Sequence, residues 1–168
     1  MASALLVPVE EYLRSAEKPV PDYIDGMLRP RSMPTYKHGK MQFRVGLLIN
    51  RLGMGFEAIP EQTVQLREGK YLVPDVAVQR LSELQQPYPT RPVHLCVEVL
   101  SPDDRFSDTV AKCEDYHAWG VPFCWIIDPE KKRAWEYRPL DRPHEVGPGG
   151  QMQAGEISLT FGDLFAGF

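Results

Sequence analysis

Two short apolar segments, each with a carboxylate set among residues that look buried, constrain this chain more than any other feature. Tyr71-Leu72-Val73-Pro74-Asp75-Val76-Ala77-Val78 and Val93-His94-Leu95-Cys96-Val97-Glu98-Val99-Leu100 are rich in Val and Leu and bounded by turn residues, the pattern of interior β-strands. An unpaired carboxylate in such a place costs several kcal/mol. Asp75 and Glu98 on neighbouring strands therefore need partners, and a shared divalent cation is the simplest. The alternative is a pair of structural carboxylates satisfied by hydrogen bonds.

The frame around them is ordinary. With 168 residues, 43% hydrophobic and 25% charged, the chain suits one domain spanning 1–168 with a core of its own. No apolar run reaches the roughly 20 residues of a membrane span, and the start lacks the basic-then-apolar order of a signal peptide, so no membrane partner and a cytoplasmic location are expected. Cys96, Cys113 and Cys124 show no CxxC spacing and an odd count, which fits free thiols in a reducing compartment.

Net charge is −4, a poor match to a general nucleic-acid binder. Its distribution is uneven, because no Asp or Glu occurs between Asp25 and Glu57 while Arg29, Arg31, Lys37, His38, Lys40, Arg44 and Arg51 do. That stretch is either a phosphate-contacting patch or a solvated helix face.

Local signals set the element order. Ser3 to Ala16 reads as a short amphipathic helix, and Asp25-Gly26 as the turn of a hairpin between Tyr23-Ile24 and Met27-Leu28. Met41, Val45, Leu48, Ile49 and Leu52 give a helix from about Thr35 to Leu52 with one buried face, closed by Gly53 and Gly55. Phe56 to Leu66 reads as one bent strand, and the Tyr71 segment as a single strand. Ser82 to Pro92 is a loop with one helical turn. In the Val93 to Leu100 strand, alternation sets Val93, Leu95, Val97 and Val99 against His94, Cys96, Glu98 and Leu100.

A helix from about Asp104 to Trp119 stops at Gly120 and puts Asp108, Lys112 and Tyr116 on one face. Phe123 to Asp128 and Arg133 to Arg138 form a hairpin in which Trp125, Trp135 and Tyr137 suit core or dimer packing better than base stacking. Pro139 to Gly155 reads as a loop, Ile157 to Phe161 as an edge strand, and Leu164-Phe165 as a tether.

Taken together, Tyr23-Ile24-Asp25-Gly26, His38, Val73-Pro74-Asp75-Val76, Val97-Glu98-Val99-Leu100-Ser101-Pro102, Asp108 with Lys112 and Tyr116, Gly120-Val121-Pro122 and Trp125-Ile126-Ile127-Asp128-Pro129 resemble the Uma family of restriction endonucleases, within the PD-(D/E)XK nuclease superfamily. The resemblance covers nearly the whole chain. It implies an α/β (α+β) restriction-endonuclease-like core, a mixed central β-sheet flanked by helices with additional hairpins. It also implies a metal-dependent DNA endonuclease that hydrolyses phosphodiester bonds with Mg²⁺ or Mn²⁺ bound by Asp75, Glu98 and the Val99 backbone carbonyl. Two or fewer carboxylates with waters and phosphate suit such ions.

One position departs from the superfamily, which places a lysine two residues after the acidic ligand, where this chain has Leu100. The resemblance moves that role to Lys112; the plainer reading of Asp108 and Lys112 is an exposed helix pair worth a few tenths of a kcal/mol. His38 is a candidate base or phosphate contact, or a surface residue at a helix start. Glu61, Asp108 and Tyr116 are accessory candidates, and Arg29, Arg31, Lys37, Lys40 and Arg44 are candidate contacts to nucleic acid. Double-strand cutting by one site per chain favours a homodimer. The competing expectation is an inactive nucleic-acid-binding or regulatory dimer that keeps the nuclease fold.

Overall fold

The computed structural model describes residues 5–168. Its first helix, α1 (Val9–Arg14), is shorter than the expected span, of which residues 3 and 4 lie outside the described residues. The Asp25-Gly26 turn joins β1 (Asp22–Ile24) to β2 (Met27–Arg29). Both turn residues have positive φ, 49° and 88°, as a two-residue hairpin of this hand requires.

Next comes α2 (Tyr36–Arg51), capped where Thr35 Oγ1 accepts the His38 N–H. Met41, Val45 and Ile49 form its buried stripe, as their spacing predicts, while Leu52 is largely exposed at the end.

Two expectations about strands need correction. The residues from Phe56 to Leu66 form two strands, β3 (Phe56–Pro60) and β4 (Val64–Arg67), in different sheets. Likewise the Tyr71 segment is broken into β5 (Lys70–Leu72) and β6 (Val76–Arg80). Val73-Pro74-Asp75 is the crossing between the two sheets, so Asp75 stands at the entrance of a strand and not in its middle. Proline lacks the N–H that a continuing ladder needs, which favours the break there.

A single 3-10 turn, Leu81–Glu83, interrupts the following loop, and β7 (Leu95–Val99) is buried on both faces. Then follow α3 (Phe106–Trp119), β8 (Phe123–Asp128) and β9 (Arg133–Tyr137). The expected Pro139 to Gly155 loop holds two short strands, β10 (His144–Val146) and β11 (Gln151–Ala154). Their outward residues are polar and solvated, so the stretch lacks the apolar signal of a strand. The chain closes with β12 (Ile157–Thr160) and α4 (Phe161–Phe165).

The central sheet is mixed, in the order β10-β9-β8-β7-β6-β3, with β7 and β8 parallel and every other neighbouring pair antiparallel. One face packs against α2 and α4 through Val76, Val97, Val99, Trp125 and Ile127. The other meets α3 and the four-stranded sheet β2-β1-β5-β4 through Cys96, Leu100, Cys113, Tyr116 and Ile126. The alternation expected in β7 holds from Leu95 to Leu100; Val93 joins the α3 side instead. Trp125, Trp135 and Tyr137 are core residues. All three cysteines are free and buried, and no helix among the described residues is long and apolar enough to cross a membrane.

Gly120 ends α3 with φ 117°, and a Cβ built there would stand 2.9 Å from Pro92 Cγ. Gly120→Ala should therefore lower stability by about 1–3 kcal/mol, seen as a lower urea midpoint with an unchanged slope.

Candidate active site

Where β1, the β5 to β6 crossing, the end of β7, α3 and the 30–35 segment meet, a cleft of about 280 Å³ opens. Asp22, Arg31, His38, Asp75, Glu98 and Lys112 all line it.

Asp75 is 3% exposed and engaged on every side. Its Oδ2 accepts the Val99 N–H at 2.7 Å, which fixes the carboxylate against the end of β7. Its Oδ1 lies 2.5 Å from Arg31 Nη2 and 3.3 Å from His38 Nε2. Its backbone carbonyl accepts from Gln42 Nε2 at 2.7 Å and from the Glu61 N–H at 3.0 Å. Burial works to raise the Asp75 pKa, but the His38 imidazole and the Arg31 charge outweigh it and hold the group below its ordinary value. Burial likewise opposes a charged His38, and Asp75 reverses the balance, keeping the imidazole above its usual range.

Glu98, 7% exposed, faces α3. Tyr116 donates its hydroxyl to Glu98 Oε1 at 2.8 Å, and Lys112 Nζ stands 3.2 Å from the same oxygen. Burial is the largest influence on Glu98; Lys112 relieves part of it, Asp75 and Asp22 add repulsion, and the pKa is pushed up to about 7.

Lys112 is the hub. Its ammonium has three N–H groups and three kinds of acceptor around it: the Val73 carbonyl at 2.8 Å, Glu98, and Asp22 Oδ2 at 3.4 Å. Burial would lower its pKa, and the Glu98 and Asp22 charges raise it above the ordinary lysine value. The side chain of Leu100, two residues after Glu98, packs into the α3-side core.

The site thus brings together Asp75, Glu98, Lys112, His38 and Tyr116 from the sequence candidates. His38 is buried, not a surface residue at a helix start. Its Nδ1 and the Ser101 Oγ are buried without a hydrogen-bond partner among the described residues. Asp108 lines the cleft but is exposed, and Glu61 is not among its lining residues, its Oε1 lying 4.0 Å from Arg31 Nη1.

The basic stretch does not form one stripe. Arg29 and Arg31 line the cleft, whereas Lys37 pairs with Glu130 at 2.8 Å. Lys40 donates to the Gly167 carbonyl and Arg44 to that of Asp163, so both tie α2 to the C-terminal turn.

Sequence reasoning missed Asp22 and Gln42. Asp22 Oδ1 accepts the Val73 N–H at 2.7 Å and is 3% exposed, so it carries the same anomaly as Asp75 and Glu98: a carboxylate beside apolar strand residues. Asp25, three residues on, pairs with Arg67 on the surface and serves the turn.

Among the described residues no three His, Cys, Asp or Glu side chains form a ready-made metal cage. The donor set still has the chemistry of a hard, hydrated cation. Asp75 and Glu98 offer carboxylate oxygens with the Val99 backbone alongside, and waters and phosphate complete such a shell.

A family model described as Uma2, putative restriction endonuclease, matches residues 9–162. Among solved structures the chain is similar to a putative nuclease belonging to DUF820 from Anabaena variabilis ATCC 29413, at 23% identity and TM-score 0.79, over 95% of this chain and 98% of that one. At that identity the likeness speaks for the fold. A DrdV–DNA complex aligns at 20% identity and TM-score 0.45, over 80% of this chain and 11% of that one. No curated protein matches. The family match takes in β1, α2, both acidic segments and α3, and the chain belongs to the Uma2 family.

Proposed function

We propose that the protein is a divalent-metal-dependent endonuclease that hydrolyses phosphodiester bonds, with DNA as substrate. The observation that carries this reading is the convergence of Asp75, Glu98 and Lys112 in one cleft, with Lys112 supplying from α3 the ammonium that Leu100 cannot. Asp75 and Glu98 would hold Mg²⁺ or Mn²⁺ beside the Val99 carbonyl. When bound, such an ion polarises the phosphate and makes a bound water more acidic.

The chain's own residues then divide the work. Tyr116 orients Glu98 through its hydroxyl, and Gln42 holds the Asp75 backbone. Lys112 offers positive charge to the phosphate as negative charge builds on its oxygens, an interaction worth most in a site that excludes water. His38, whose Nε2 lies 3.3 Å from Asp75 Oδ1, steadies that carboxylate. A homodimer with two such clefts would reach both strands of a duplex.

A second reading has one observation in its favour. Arg31 and His38 already satisfy Asp75 Oδ1, as they would in a nucleic-acid-binding protein that keeps the fold without cleavage.

Supercoiled plasmid separates the two. The parent should nick it in Mg²⁺ or Mn²⁺ and not in EDTA, and Asp75→Ala and Lys112→Ala should each lose about 10²–10³ in rate. Equal traces from parent and Asp75→Ala would leave only the binding protein. Acidity gives an independent check. With a pKa of about 7, Glu98 keeps its proton below that pH and must release it to act as a ligand. Mn²⁺ affinity measured by calorimetry should rise through pH 6 to 8, with proton uptake by the buffer near neutrality, and Glu98→Gln should flatten the profile.

A further inference from the structure

Arg31 lies in the stretch between β2 and α2, outside any helix or strand, yet its side chain is only 11% exposed. Nη2 sits 2.5 Å from Asp75 Oδ1, while Nη1 reaches only the Val20 carbonyl at 3.5 Å and Glu61 at 4.0 Å. One end of the guanidinium is held closely and the other loosely.

A carboxylate oxygen has two lone-pair directions. On Asp75, Arg31 and His38 approach Oδ1 together and the Val99 N–H takes one direction on Oδ2. Oδ2 keeps one direction open, so an ion could approach Asp75 there, but one that also engaged Oδ1 would have to displace the guanidinium. Charge leads to the same place. Asp22, Asp75 and Glu98 already have Arg31 and Lys112 as close cationic partners without a metal. Adding a divalent ion beside Asp75 sets it against Arg31 at contact range, where like charges repel strongly. The Nη1 end makes only the long contacts to Val20 and Glu61, and a guanidinium is shaped to take two phosphate oxygens at once.

We propose that Arg31 is a resident counter-cation of Asp75, that it yields Oδ1 when a divalent ion binds, and that it then contacts a phosphate of the nucleic acid in the cleft. This rests on the metal-dependent reading above and adds an order to it: Arg31 becomes available to substrate only after the metal is in place.

The experiment uses the full chain and two readouts that do not depend on cleavage. Mn²⁺ binding is followed by calorimetry for the parent, Arg31→Gln, Arg31→Lys and Asp75→Ala, with thermal unfolding recorded for each. Duplex DNA binding is followed by fluorescence anisotropy in EDTA and in Ca²⁺. Removing a charge that competes at contact range should tighten Mn²⁺ binding by Arg31→Gln about tenfold, by the size of a typical one-unit charge effect, and Arg31→Lys should stay near the parent. In DNA binding, Arg31→Gln should match the parent in EDTA and fall about tenfold behind it in Ca²⁺, the size of one lost charge-assisted phosphate contact.

Unchanged or weaker Mn²⁺ binding by a folded Arg31→Gln, with Asp75→Ala still losing metal, overturns the Arg31 proposal and leaves the metal site standing. A DNA deficit of equal size in EDTA and Ca²⁺ overturns the ordering. Parent and Asp75→Ala that both fail to bind Mn²⁺ overturn the metal site and this inference together.

Discussion

Everything around the cleft depends on the pairing of buried charges about Lys112 and Asp75. Each partner comes from a different part of the fold: Asp22 from β1, Asp75 from the crossing between sheets, Glu98 from β7, His38 from α2 and Lys112 from α3. Removing one partner of a buried ion pair costs about 3–5 kcal/mol because the other is left uncompensated. The same contacts that shape the cleft therefore also fix how the two sheets and two helices sit together. The candidate site and the architecture share one set of atoms here.

The crossing at Val73-Pro74-Asp75 is the point where this is most evident. The Val73 amide and carbonyl leave the ladders and are taken up by the side chains of Asp22 and Lys112, and the Asp75 carbonyl is shared between Gln42 and the Glu61 N–H. A buried main chain without ladder partners must find others, and here it finds the groups of the site. The polar cleft is thus the solution to a backbone problem as well as a place for chemistry.

That dual character explains what could be read from the sequence. The two long helices, the Asp25-Gly26 hairpin and the Gly120 stop are encoded by neighbours in the chain, and their signals survive in a plain reading. The carboxylates of Asp75 and Glu98 stood out because they broke an apolar pattern, and Lys112 and Tyr116 followed from helical spacing toward them. The strand break after Leu72 had one signal in Pro74, which was outweighed because Val73 and Val76 are both buried and continue the apolar pattern across the gap. β10 and β11 were hidden by polar outward residues. Asp22 meets Val73 and Lys112 only in space, and its one local mark, a carboxylate before Tyr23-Ile24, is overshadowed by the Asp25-Gly26 turn signal beside it. For Arg31, Lys37, Lys40 and Arg44 the sequence offers one basic stretch, whereas tertiary contacts send each of them to a different acceptor.

Placing the ammonium on α3 and the carboxylate on β7 has an outcome for biogenesis. Were both on one strand, a short length of extended chain would already carry the pair. In this chain Glu98 and Lys112 are joined by a loop and the first turns of a helix whose start has no side-chain cap. They meet only when α3 docks on the sheet and buries Cys113 and Tyr116. A chain still emerging from the ribosome, or one partly unfolded by stress, holds the parts of the cleft without the cleft itself until α3 is in place.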